Sequence, residues 1–336
     1  MVELSPEIKA QLEEQKKNCV FCKIISGEIE GKTVYSDDEL HMILDIRPAA
    51  KGHLLVMPKE HYPIMPLLPP KTFTHLFGMI PQIVDVQKQA MIMTGANICI
   101  ANGAVAGQQS PHFLYHVIGR DNQDGNRQFA FQPKTINQEA QQKAIGLIRN
   151  NLPIMMANHF KRNPASWHHR KGGRPDALAD KDALYEDEKT LVAASPNHQS
   201  TGHLELYSKE EAHEIENMSY ESASHLLYVA SFAATACFEG LGAQGTNIII
   251  KTGSATDNPE GKLCVHIIPR WQDDGLDLMP HPGNPGDTKD ILASYSDHTF
   301  KMGKPKETPA ENTKKTDEKK EKDPLEEIRQ AIRRLP

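Results

Sequence analysis

Asn18-Cys19-Val20-Phe21-Cys22 sets two thiols at C-x-x-C spacing. Two thiolates so spaced can bind one zinc ion, which then needs two more ligands. Alone, the motif leaves zinc, redox chemistry and coincidence open. A second chemical stretch is Ser110-Pro111-His112-Phe113-Leu114-Tyr115-His116-Val117-Ile118-Gly119-Arg120. In a strand, His112, Leu114 and His116 alternate onto one face. Imidazoles in such a row can bind phosphate or metal. A lone strand histidine is more often a satisfied packing residue. Two of them, after a Gly-rich turn (Asn102-Gly103, Gly107-Gln108), shift the balance towards function.

The elements that must position these residues occur twice. Shifting the chain by 150 residues lays Tyr35 on Tyr185, Gly52-His53-Leu54 on Gly202-His203-Leu204 and Lys59-Glu60 on Lys209-Glu210. The same shift lays Asn97-Ile98 on Asn247-Ile248, His116 on His266 and Arg120 on Arg270. That offset is too long for a solenoid and reads as a duplicated domain. In the first copy Gly52–Met57, Ala96–Ala101 and Tyr115–Ile118 are short apolar runs beside turn residues, the pattern of strands. Between the first two, 72–93 has helical spacing, and the second copy has 222–238 there, rich in Ala, Leu and Ser. Strands around a helix in each unit predict an α+β fold with antiparallel sheet.

The connector holds a helical pattern over 138–149, expected to close the first domain. It then turns polar and basic over 161–182, expected to be a solvated linker. Residues 301–323 are dominated by Lys, Glu, Thr and Pro, the composition of a disordered tether. Asp323-Pro324 then opens a short amphipathic helix with Leu325, Ile328, Ile332 and Leu335 on one face. The expected organisation is 1–135, 136–180, 181–300, 301–323 and 324–336. A net charge of −6 disfavours a general nucleic-acid binder. Five cysteines, an odd number, suit reduced thiols in a cytoplasmic protein. The charged N-terminal stretch does not read as a signal peptide, and no apolar run approaches the ~20 residues of a membrane span.

The segments 21–29, 44–61 and 106–120 together resemble the histidine triad (HIT) family, whose signature is His-φ-His-φ-His-φ-φ. The resemblance covers about 18–135 and, through the repeat, 180–275. It implies nucleotide binding, with the middle histidine attacking an α-phosphate to give a covalent nucleotidyl intermediate. Here His112 and His116 match the outer positions, and Leu114 stands at the middle one. Leucine has no lone pair to offer phosphorus. In the second copy the positions are Lys262, Cys264 and His266. Zinc-bearing members imply a structural metal held by Cys19, Cys22, His61 and His112. At the matching places the second copy has His169, Gly172, Glu211 and Lys262. The resemblance also places Asp45 at the ribose, Ile43, Leu44 and Ile46 at the base, and Asn102, Gln108 and His116 around the phosphate. Asp45 also reads as a turn residue ahead of Pro48.

Single-domain members pair through a shared sheet, which implies that the second copy replaces a second subunit. The expected molecule is a monomeric pseudo-dimer with one joined sheet. It holds zinc and binds a purine nucleotide or nucleotide-like ligand in its first half, with histidine-dependent catalysis lost. One alternative is a nucleotidyl hydrolase or transferase using another nucleophile, with His116 or Cys264 as candidates. Another is an interaction protein whose 324–335 helix docks on a protein partner.

Overall fold

The computed structural model describes residues 6–303, apart from 123, 125–130, 132–133, 169, 211–212, 255–262, 284 and 286–288. The expected terminal helix lies outside the described residues, as does all of the charged tether beyond residue 303. So do the matching positions His169, Glu211 and Lys262. Met302 is buried against the core, so the ordered body runs slightly past the expected boundary at 300.

Two helices, α1 (Pro6–Asn18) and α2 (Val20–Ile25), come first. Among the described residues, ten strands form one antiparallel sheet. They are β1 (Thr33–Ser36), β2 (Leu40–Leu44), β3 (Leu54–Pro58), β4 (Gly95–Asn102), β5 (Tyr115–Arg120), β6 (Ala183–Glu186), β7 (Thr190–Ala194), β8 (Leu204–Ser208), β9 (Gly245–Gly253) and β10 (Cys264–Arg270). Their order is β1-β2-β3-β5-β4-β9-β10-β8-β7-β6. The second five repeat the first five in reverse across the β4–β9 seam, so the expected joined sheet is present. At that seam Cys99 pairs with Ile249. These two residues are 150 apart, the offset of the repeat, so the pseudo-twofold axis passes between them. Gly253, at φ +85°, lies so close to the facing chain that a Cβ would stand 2.3 Å from the Thr94 carbonyl oxygen.

Strand alternation divides the sheet into two faces. Leu54, Val56, Ile98, Tyr115 and Val117 point into the main core, which is covered by helices. Ile43, Leu55, Met57 and Leu114 point to the opposite face. The helix expected over 72–93 is two helices, α3 (Pro70–Gly78) and α4 (Ile80–Met91), broken at Met79 ahead of Pro81. Its counterpart α6 (Tyr220–Leu241) lacks a proline and runs unbroken.

α5 (Gln138–Arg162) corrects the expectation that 138–149 closes the first domain. It packs on α6 and β6 of the second half. α7 (Ile291–Thr299), for its part, packs on α4 and β1 of the first half. The two halves thus exchange the helices that follow their last strands. Both helices anchor on equivalent glycines of the opposite half. The Tyr295 hydroxyl donates to Gly52 O at 2.6 Å, and Gly202 N–H donates to Gln141 Oε1 at 2.8 Å.

The polar segment 161–182 is not a solvated linker throughout. His168 is buried and stacks on Phe160, ring centroids 3.6 Å apart, and Leu178 packs on Leu191 and Tyr207. Among the described residues no helix is long and apolar enough to cross a membrane.

Candidate functional site: a Cys/His cluster beside a histidine-floored pocket

Cys19 caps the short helix α2 (Val20–Ile25), and Cys22 sits in its first turn, so both thiols lie at one end. Beside them come His61, just past β3, and His112, just before β5. The donor atoms of all four lie within 4.8 Å of one another. Cys22 Sγ is 3.3 Å from His61 Nδ1 and 3.5 Å from His112 Nδ1, and Cys19 Sγ is 3.6 Å from His112 Nδ1. A tetrahedral zinc with ordinary Zn–S and Zn–N bonds sets sulfur and nitrogen about 3.5 Å apart. His112 Nε2 lies 2.9 Å from Pro58 O, a pairing that fixes the proton there and turns the Nδ1 lone pair into the cluster.

Desolvation, reinforced by Cys19, pushes the Cys22 thiol up to about 12. Burial holds His112 down to about 4, and desolvation lowers His61 as well. A redox dithiol needs a depressed thiol pKa, so the redox reading of C-x-x-C loses ground. A neutral pair of imidazoles beside two thiols is the donor set of a metal site.

The neighbouring pocket is lined by Phe21, Ile43, Leu44, Asp45, Ile46, Gln108, Leu114 and His116, among others. His116 lines it, and the buried His53 lies behind His116. The Ala49 backbone N–H donates to His53 Nδ1 at 3.1 Å, so the proton of a neutral His53 sits on Nε2. That nitrogen lies 3.0 Å from His116 Nδ1. His116 therefore accepts on Nδ1 and carries its own proton on Nε2. Desolvation lowers both rings to about 3, so both are neutral at physiological pH.

Asp45 has the expected turn role and also lines the pocket. Its Oδ1 accepts the Arg47 N–H at 2.8 Å and shapes the turn. Its Oδ2 lies 3.5 Å from His53 Nδ1, whose lone pair is already occupied, so this oxygen remains an acceptor at the pocket. Ile43 is buried and Ile46 is 92% exposed. Asn102 stands apart from the pocket. It accepts the Met65 N–H and faces Thr246 across the seam. Gln108 lines the pocket, but its amide holds the loop together by bonding Gly103 N, Pro63 O and Ser110 O. β5 begins only at Tyr115, so His112 and Leu114 precede the regular strand that was expected to carry them.

Sequence reasoning passed over His53. Gly-His-Leu recurs at 52–54 and 202–204, and that recurrence was the available signal. The second half keeps the same pair. Gln199 N–H donates to His203 Nδ1, and His203 Nε2 lies 3.3 Å from His266 Nδ1. The surroundings there differ. Glu205 replaces Leu55 and is bound by Ser195 and Tyr207, while Cys264 is buried among Leu178, Leu191, Ala193 and Tyr207.

Residues 26–123 match the HIT domain family. An uncharacterized HIT-like protein of Methanocaldococcus jannaschii is 42% identical over 107 residues, 32% of this chain and 82% of that protein. The chain belongs to the HIT family. Adenylylsulfatase HINT3 of Arabidopsis thaliana is 38% identical over 109 residues, 32% of this chain and 55% of that protein, so the chain spans about half of that relative. Among solved structures, a HIT family protein from Bacillus anthracis is 34% identical with a TM-score of 0.35, covering 42% of this chain and 96% of that one. A Zn-bound histidine triad family protein from Mycobacterium smegmatis is 36% identical with a TM-score of 0.30, covering 32% and 79%.

Proposed function

We propose that this chain is a zinc-stabilised HIT protein whose first half binds a purine nucleotide or nucleotide-like ligand without histidine-dependent nucleotidyl transfer. The observation that carries this reading is Leu114, which lines the pocket beside the intact His53–His116 pair. The surroundings suit a nucleotide. Ile43, Leu44, Ile46 and Phe21 offer an apolar slot for a base, Asp45 Oδ2 an acceptor for ribose hydroxyls, and His116 Nε2–H a donor for phosphate. In-line attack needs a nucleophilic lone pair, and Leu114 has none.

Cys19, Cys22, His61 and His112 would hold zinc. With four protein ligands the ion is structural, tying α2 to the ends of β3 and β5. No step of ligand chemistry runs through it.

A hydrolase with another nucleophile finds less support. The Nε2 of His116 bears a proton, and its Nδ1 accepts from His53, so no lone pair of His116 faces the pocket. Cys264 is 9% exposed. The protein-docking reading rests on 324–335, outside the described residues.

The test pairs calorimetric binding of AMP with turnover assays on AMP-amidates, dinucleoside polyphosphates and, given the name of the Arabidopsis relative, adenylyl sulfate. Binding with background turnover is expected. Leu114→His should restore weak turnover, because His53, His116 and Asp45 remain. Robust wild-type turnover abolished by one pocket substitution would overturn the reading.

A further inference from the structure

The segments that follow β5 and β10 obey the repeat offset, so Phe131 and His281, 150 apart, are equivalent. Phe131 lies at the histidine pair of the second half, and His281 lines the pocket of the first. Phe131 meets His266 edge-on at 4.7 Å between ring centroids and His203 at 5.9 Å. Lys251 Nζ stands 4.1 Å from the centre of the Phe131 ring. The second half's imidazole pair is thus covered by an apolar ring and a lysine. In the first half the Lys251 position is Ala101, and Ala101 and His281 both line the pocket.

The strap carrying His281 is anchored at two points. Met279 packs so tightly on Gly107 that a Cβ there would stand 2.5 Å from its side chain. Gly283 donates its N–H to Pro48 O at 3.0 Å, where a Cβ would stand 2.2 Å from Ala49 O. The strap therefore crosses from the Gly-rich loop to the Asp45–Ala49 turn, with His281 between the anchors. Asp277 Oδ2, 2.6 Å from His281 Nε2, orients the ring, and the side chain stays 59% exposed.

A phosphate bound in this pocket would need a donor beyond the histidine pair. His53 and His116 are neutral, and the Gln108 amide is occupied by the loop. Arg270, another lining residue, is held by Asp274 and Asn247. We propose that His281, supplied by the second half, contacts the phosphate of the ligand bound in the first half. This rests on the nucleotide reading above, and it makes the pocket incomplete without the second copy.

The experiment is calorimetric titration of AMP and of adenosine into the full chain, wild type, His281→Asn and His281→Phe. His281→Asn should weaken AMP about tenfold, the scale of one charge-assisted hydrogen bond, and leave adenosine within about twofold. His281→Phe installs the residue that covers the opposite site and should weaken both ligands strongly at an unchanged melting temperature. Wild-type AMP binding left intact in His281→Asn would overturn this proposal alone. Equal loss of AMP and adenosine in His281→Asn would overturn it too, because the residue would then shape the strap. A wild type that binds neither ligand would overturn the nucleotide reading and this proposal together.

Discussion

The two halves solve the same corner of the fold with different chemistry. In the first, Cys19, Cys22, His61 and His112 converge beside β3. In the second, Arg174 bonds Glu186, Lys209 lies 2.8 Å from the same carboxylate, and Lys209 also bonds Gly172 O. Arg174 first, and Lys209 with it, holds Glu186 down to about 2. The pockets diverge likewise, with Leu55, Ala101 and His281 set against Glu205, Lys251 and Phe131. The histidine pair survives in both. Its persistence beneath Phe131 shows that the pair also belongs to the packing of the sheet. What separates the open pocket from the covered one is the set of residues around the pair.

The largest test of this comparison is loss of the metal corner. Cys22→Ala should remove zinc and cost roughly 4 kcal/mol, lowering the melting temperature by about 10 °C. Metal analysis beside differential scanning fluorimetry checks both. Zinc-free wild-type protein, purified without chelator, would break the comparison at its first term.

Breaking the ionic corner should do less. Arg174→Ala should lower the melting temperature by a smaller amount and leave zinc content unchanged. The pH dependence gives its signature. Glu186 has a depressed folded pKa, so its contribution is full above the ordinary value of 4.5 and is lost as pH falls towards about 2. In metal-free protein, the gap in urea stability between wild type and Arg174→Ala should shrink across that window. A gap independent of pH would show that Arg174 acts by packing.

The smallest effect belongs to the exchanged helices. Tyr295→Phe removes one buried hydrogen bond to Gly52 O, but Gln87 Nε2 still donates to that carbonyl at 3.0 Å. A loss of about 1 kcal/mol, or 2–4 °C, is expected. A loss several times larger would mean that α7 unfolds from the first half without its tyrosine.

Much of this architecture was legible in the sequence. Identical residues at a fixed offset announced the duplication, and short apolar runs beside turn residues placed β3, β4 and β5 within about two residues. The four residues of the Cys/His cluster came from the family resemblance, and the fold brings them together. The helix exchange was not legible. Apolar spacing over 138–149 tells which face of a helix is buried, not which half buries it. Met79 as a break was visible only as Pro81, which a helix tolerates in its first turn. Asn102 and Gln108 have side chains suited to phosphate, and nothing in their spacing reveals that loop backbone takes most of their bonding capacity. His281 carries no motif at all. Its equivalence to Phe131 gains meaning only once the fold lays both straps across opposite halves.

Native mass spectrometry of the full chain incubated with excess AMP tests the division of labour between the halves most directly. The account predicts one zinc and one unmodified AMP per chain, the AMP signal falling in Asp45→Ala while zinc remains. Two AMP molecules per chain, an AMP covalently attached, or an AMP signal unchanged by Asp45→Ala and lost on Phe131→Ala would contradict it.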